Sequence, residues 1–86
     1  MPLLDPTDKR PVHFVGIAGA GMSALAELLV RRGAHVSGCD SSLAAAGDLR
    51  RLGLTLYEGH DPSHVVGARA VVVTSAIYIN IQPPST

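Results

Sequence analysis

Three glycines fall within six residues, Gly16, Gly19 and Gly21, directly after the apolar, β-branched run Val12-His13-Phe14-Val15. Glycines at this spacing let the backbone approach a ligand where a side chain would collide. From Met22 onward apolar residues recur at helical spacing, so the turn opens onto a helix start. The free N–H groups there, with the positive end of the helix dipole, suit an anion. The chemistry this implies is phosphate binding. The dinucleotide fingerprint G-x-G-x-x-G is met at its ends by Gly16 and Gly21, but Ala18 takes its middle position. The phosphate-facing candidates are Gly16, Ala18, Gly19, Ala20, Gly21 and Met22. The competing reading is a turn that only packs a helix against a strand.

Other polar residues fall where strands are expected to end. Asp40 lies 19 residues after Gly21 and suits a ribose hydroxyl, or caps the helix that follows. His60 follows Gly59 after a third apolar stretch, and Ser75 follows Thr74 after a fourth. In parallel sheets ligands sit outside the carboxyl ends of the strands, so these exits form one expected cleft. His60 and His64 are four apart, but Pro62 lies between them and no third ligand is evident. No metal site is therefore expected. His13 and His35 lie at or near strand starts, away from that cleft, and read as structural. Cys39 reads as a small buried residue rather than a nucleophile, since no basic residue adjoins it in sequence. The pairs Arg31-Arg32 and Arg50-Arg51 sit near helix ends, where they complement the dipole. The sole lysine is Lys9, ahead of the glycines, so a phosphate-binding G-x-x-x-x-G-K-[ST] loop is excluded. No nucleophile–base pair stands out, and no catalytic residue is expected within the chain.

The elements that must position these residues alternate. Val12 to Ile17 predicts a strand and Met22 to Arg32 a helix, with Met22, Leu25, Ala26, Leu28 and Leu29 on its inner face and Gly33 as its stop. Ala34 to Cys39 predicts a second strand. Ser41 or Ser42 can cap a second helix with Leu43, Ala46, Leu49 and Leu52 inward, although Gly47 weakens it. Leu54 to Tyr57 predicts a third strand, Ser63 to Gly67 a single helical turn, and Ala70 to Thr74 a fourth strand. The fold class is α/β: a small, single-domain, Rossmann-like parallel sheet of about four strands with flanking helices. Residues 1–11 read as a flexible leader and 78–86 as an atypical tail. A helix would ordinarily follow the fourth strand, and the chain stops short of one. A truncated chain with a partly uncovered sheet is the expectation.

Composition narrows the classes. Of 86 residues, 47% are hydrophobic and 16% charged, which is globular rather than disordered. Seven acidic residues balance seven basic ones, so no basic stripe supports a nucleic-acid partner. No run approaches the roughly 18 apolar residues of a membrane span, and the first residues lack a signal peptide's apolar centre. The single cysteine excludes an intrachain disulfide and suits a reducing compartment, so the cytoplasm is expected.

Four motifs occur in a specific order: His13-Phe14-Val15-Gly16-Ile17-Ala18-Gly19-Ala20-Gly21-Met22-Ser23, then Val36-Ser37-Gly38-Cys39-Asp40, then Gly59-His60-Asp61, then Val71-Val72-Val73-Thr74-Ser75-Ala76-Ile77. Together they resemble the opening of the Mur ligases across Val12–Ile77. The resemblance implies an N-terminal domain that binds the UDP part of UDP-N-acetylmuramate, in an ATP-dependent ligase that adds L-alanine to it during peptidoglycan synthesis. The sister ligase that attaches a recycled tripeptide ranks second. By the resemblance, the Gly16–Gly21 backbone holds the diphosphate, Asp40 and His60 face the uridine, and Ser75 lies near the phosphates or sugar. ATP and Mg2+ would serve a central domain and the amino acid a C-terminal one, neither within these residues. Ala18 departs from the family's usual glycine, and Tyr78–Thr86 departs from its usual continuation. The alternative is a stand-alone nucleotide- or NAD-binding module without catalysis, although a full dinucleotide site needs a second half-sheet that this length does not hold.

Overall fold

The computed structural model describes residues 9–44, 47–74 and 76–79. Five strands form one sheet in the order β3-β2-β1-β4-β5, built from β1 (Val12–Val15), β2 (Val36–Asp40), β3 (Thr55–Glu58), β4 (Ala70–Val73) and β5 (Ala76–Ile79). The first four run parallel, and β5 returns antiparallel on β4 with Val73 opposite Ala76. Between them come α1 (Ala20–Arg31), α2 (Gly47–Arg51) and a 3-10 turn at Pro62–Val65. The small α/β fold with a parallel sheet of about four strands is as expected, and β5 adds a fifth, antiparallel strand. β5 runs across the expected limit at Ile77 and returns antiparallel on β4, where the sequence predicts no further element of the sheet.

The two faces of the sheet differ because side chains alternate along each strand. On one face Val12, Phe14, Val36, Ala70 and Val72 join Ile17, Ala26, Leu29, Leu43 and Leu49 in the buried core. Both helices pack there. On the other face the parallel register sets His13 beside Ser37 and Val71, and Val15 beside Cys39. Among the described residues, only the 3-10 turn lies against that face as a helical element, bringing the His64 ring within 6.0 Å of the His13 ring.

Helix α1 starts at Ala20, two residues before its expected start at Met22, so the last two residues of the glycine turn already belong to it. Its inner stripe includes Met22, Leu25, Ala26, Leu29 and Val30. Leu28, expected inward, is 45% exposed. At 3.6 residues per turn it points about 100° away from Leu29, off the one stripe that meets the sheet. The helix ends as Gly33 predicts. Gly33, at φ 89°, donates to the Val30 carbonyl and Ala34 to the Leu29 carbonyl, the paired bonds of a glycine-terminated helix. Among the described residues α2 covers Gly47–Arg51 with Leu49 buried as expected, and Ala46 lies outside them.

Candidate functional site

The chain builds β1, β2 and β3 to one side and places β4 on the other side of β1. The order of connections therefore reverses between β1 and β4, and in open α/β sheets the ligand crevice lies outside the carboxyl ends of the strands at this reversal. The exit of β1 is the glycine turn. Gly16 there has φ 82°, a conformation that side chains with a Cβ rarely adopt. Ile17 next plugs inward, fully buried, over Gly38 of β2; a Cβ on Gly38 would stand 2.8 Å from the Ile17 Cβ. This contact explains the glycine inside β2 and locks the turn to the sheet.

Backbone bonding divides the turn in two. Gly16 and Ile17 both donate to the Cys39 carbonyl, at 2.8 and 3.1 Å, and Gly19 donates to the Gly16 carbonyl at 3.1 Å. Ala18 donates to Asp40 Oδ2 at 3.1 Å. Every non-glycine residue described has negative φ, so Ala18 fits in the fingerprint's middle position without strain. These amides hold the turn itself. The first residues of α1 differ: Gly19 is its N-cap, with no side-chain cap. Ala20, Gly21 and Met22 thus carry the donors that a helix start leaves without an intrahelical partner. Gly19, Ala20 and Gly21 are exposed, and a Cβ on Gly21 would meet nothing within 4 Å. Of the six expected phosphate-facing positions, Ala20, Gly21 and Met22 present outward amides. Gly16, Ala18 and Gly19 shape the turn.

Asp40 ends β2 as expected and ties two strand exits together. Its Oδ2 accepts from Ala18, and its Oδ1 accepts from the Ser42 amide at 3.2 Å and the Ser41 hydroxyl at 3.4 Å. The Ser42 amide, followed by those other bonds, outweighs partial burial and holds the carboxyl below the usual carboxylate range. Asp40 does not cap α2, because residues 41–44 after it are not helical. The Asp40 carbonyl accepts from Gly59 at 2.7 Å, which brings the β3 exit alongside. His60 follows there, exposed, with Nδ1 3.2 Å from Cys39 Sγ. Thr74 stands exposed between β4 and β5, and Ser75 lies outside the described residues. The glycine turn, Asp40 and His60 are thus joined along the β1–β3 exits.

On the face away from the helices the structure gathers residues that the sequence kept apart. His13, near the start of β1 as expected, is fully buried. Its Nδ1 is 2.8 Å from Ser37 Oγ and its Nε2 is 3.4 Å from Cys39 Sγ. Burial, aided by the nearby His64, lowers its pKa to about 4, so His13 is neutral at pH 7. Cys39 is buried as expected, and burial pushes its thiol up, which disfavours the thiolate. The Tyr57 ring stacks on His64 at 4.3 Å and 15°. Strand alternation was the signal for this group: His13, Ser37, Cys39 and Tyr57 all take the positions opposite the apolar core.

Among the described residues no helix is long and apolar enough to cross a membrane. The model of the Mur ligase family, catalytic domain, matches residues 11–85. The UDP-N-acetylmuramate–L-alanine ligase of Ralstonia nicotianae is 54% identical over 69 residues, which is 79% of this chain and 14% of that protein. The ligase of the same name from Cutibacterium acnes is 50% identical over 76 residues, covering 87% of this chain and 16% of its own length. That of Caulobacter vibrioides is 44% identical over 73 residues, covering 84% and 15%. The chain therefore spans about a seventh of the length of these curated relatives. It belongs to the Mur ligase family.

Proposed function

We propose that this chain is the N-terminal, substrate-binding part of an ATP-dependent ligase, and that it holds the UDP end of UDP-N-acetylmuramate while L-alanine is joined to the sugar's carboxylate. The observation that carries the reading is the uncapped start of α1 at the strand-order reversal. Three backbone amides, at Ala20, Gly21 and Met22, open outward there beside Asp40 and His60. A diphosphate supplies oxygens for those amides, and the helix dipole favours its charge. Asp40 and His60 flank the uridine, and by the family resemblance Ser75, next in sequence after Thr74, serves the phosphates or sugar. A uridine diphosphate needs one half-sheet, which this chain has.

The residues present do not fit ATP or magnesium. The only lysine, Lys9, precedes β1, and both Asp40 oxygens are already bonded to the turn. No step through either is assigned to this chain. In this reading they act on further domains of the ligase, in the cytoplasm, within peptidoglycan synthesis. The chain's own part is to fix one end of the substrate. Restricting that end lowers the entropic cost of bringing the reacting carboxylate to its partners.

Gly21→Val tests the reading. The added side chain meets open space in the fold, so the melting temperature should change little, whereas a bound diphosphate would collide with it. Calorimetric affinity for UDP should fall by at least about tenfold, equivalent to ~1.4 kcal/mol. Unchanged affinity in a folded variant would place the site elsewhere.

A further inference from the structure

We propose that His13, Cys39 and His64 form a binding site for a zinc-class cation on the sheet face away from the helices. One ligand atom from each residue falls within 4.8 Å of the others. The residues come from three separate elements, β1, β2 and the 3-10 turn, so the fold rather than a local motif brings them together. They border a hollow of about 230 Å3, whose lining also includes His60 and Asp61.

The donor set suits zinc. A thiolate and two imidazoles match a borderline-soft ion, and neither magnesium nor calcium favours sulfur. Tetrahedral bonds of about 2.0–2.1 Å to nitrogen and 2.3 Å to sulfur imply donor separations of roughly 3.3–3.6 Å. His13 Nε2 and Cys39 Sγ, at 3.4 Å, already meet that requirement. His64 closes the other two edges by a shift of the order of 1 Å on a turn where it is only partly buried.

Neighbouring groups orient the ligands. With His13 Nδ1–H donating to Ser37 Oγ, Nε2 turns its lone pair towards Cys39. Tyr57 fixes the plane of the His64 ring by stacking on it. His64 Nδ1 accepts a long 3.4 Å bond from the Asp61 amide. Ligation exchanges that bond for one to water, because Asp61 is exposed. The fourth position opens to the hollow, where His60 already stands 3.2 Å from the sulfur. Binding replaces the thiol S–H bond with a sulfur–metal bond and releases one proton to solvent, with no change of oxidation state. The proposed metal ligands are not among the residues assigned to the diphosphate, and His60 borders both the hollow and the proposed uridine side.

Cobalt(II) is the probe, because its thiolate complexes absorb by ligand-to-metal charge transfer and tetrahedral sites give strong visible bands. The metal-free chain titrated with Co2+ under reducing conditions should give both signals at one equivalent. One equivalent of Zn2+ should abolish them, and excess Mg2+ should not. Cys39→Ser should remove the charge-transfer band. His64→Gln, a change on the turn that leaves the core intact, should weaken Co2+ binding at least about tenfold. His35→Gln, an exposed histidine outside the group, should leave binding unchanged. No charge-transfer band in the wild-type chain, or unaltered affinity in His64→Gln with native circular dichroism, would overturn the proposal.

Discussion

The two faces of this one sheet carry opposite chemistry, although their residues alternate along the same short strands. In β1, Val12 and Phe14 lie under the helices, while His13 points the other way into a polar group with Ser37 and Cys39. The first face is held by apolar area removed from water, and its cost of mutation follows volume. The second is held by hydrogen bonds, and among the described residues no buried side-chain nitrogen or oxygen lacks a partner. The difference shows how a small domain places reactive groups in its interior: one face supplies the stability, and the other carries polar side chains that burial makes neutral.

The largest expected effect comes from the apolar face. Phe14 is fully buried, and Phe14→Ala should cost about 3–5 kcal/mol in denaturant unfolding. That rivals the whole stability of a domain at the low end of the usual 5–15 kcal/mol range, so the variant should be largely unfolded. A loss below about 1 kcal/mol would mean that the helix face is not the main source of stability.

A smaller effect comes from the polar face and depends on pH. His13 titrates at about 4 in the folded metal-free chain and near its ordinary 6.5 when unfolded. Between those values the unfolded chain binds the extra proton. Stability is therefore full above pH 6.5, falls as the pH is lowered through the window, and levels off below about 4. The loss is at most about 3 kcal/mol. Melting curves from pH 7 to 4, for wild type and His13→Asn, measure it. An equally steep fall in the variant would assign the pH dependence to other groups.

The smallest effect lies within one strand. Val72 is buried among the apolar core, whereas its neighbour Val71 is half-buried beside His13. Val72→Ala should cost roughly 2 kcal/mol and Val71→Ala less than about 1. Equal losses in urea unfolding would erase the contrast between the faces.

Much of the scaffold was legible because local rules agree with the tertiary structure. β-branched runs marked β1 and β4, and Gly33 marked the end of α1. The glycine turn was legible as a place, but not in its division of labour. Nothing in the order of residues says that Asp40 takes the Ala18 amide, because that bond depends on β1 and β2 lying side by side. β5 was missed although Tyr78-Ile79-Asn80-Ile81 alternates, because a helix is the ordinary successor to a parallel strand. The His13, Cys39 and His64 group was missed for a similar reason. Its members are 26 and 25 residues apart in sequence and meet only through strand register and the placement of the 3-10 turn.

The central claim is that the reversal point of the sheet holds a uridine diphosphate through the start of α1. Isothermal titration of the 86-residue chain with UDP-N-acetylmuramate, UDP and NAD tests it most directly. The account predicts saturable one-to-one binding of both uridine ligands and none of NAD. Binding of NAD alone, or no binding of either uridine ligand by the folded chain, would contradict it.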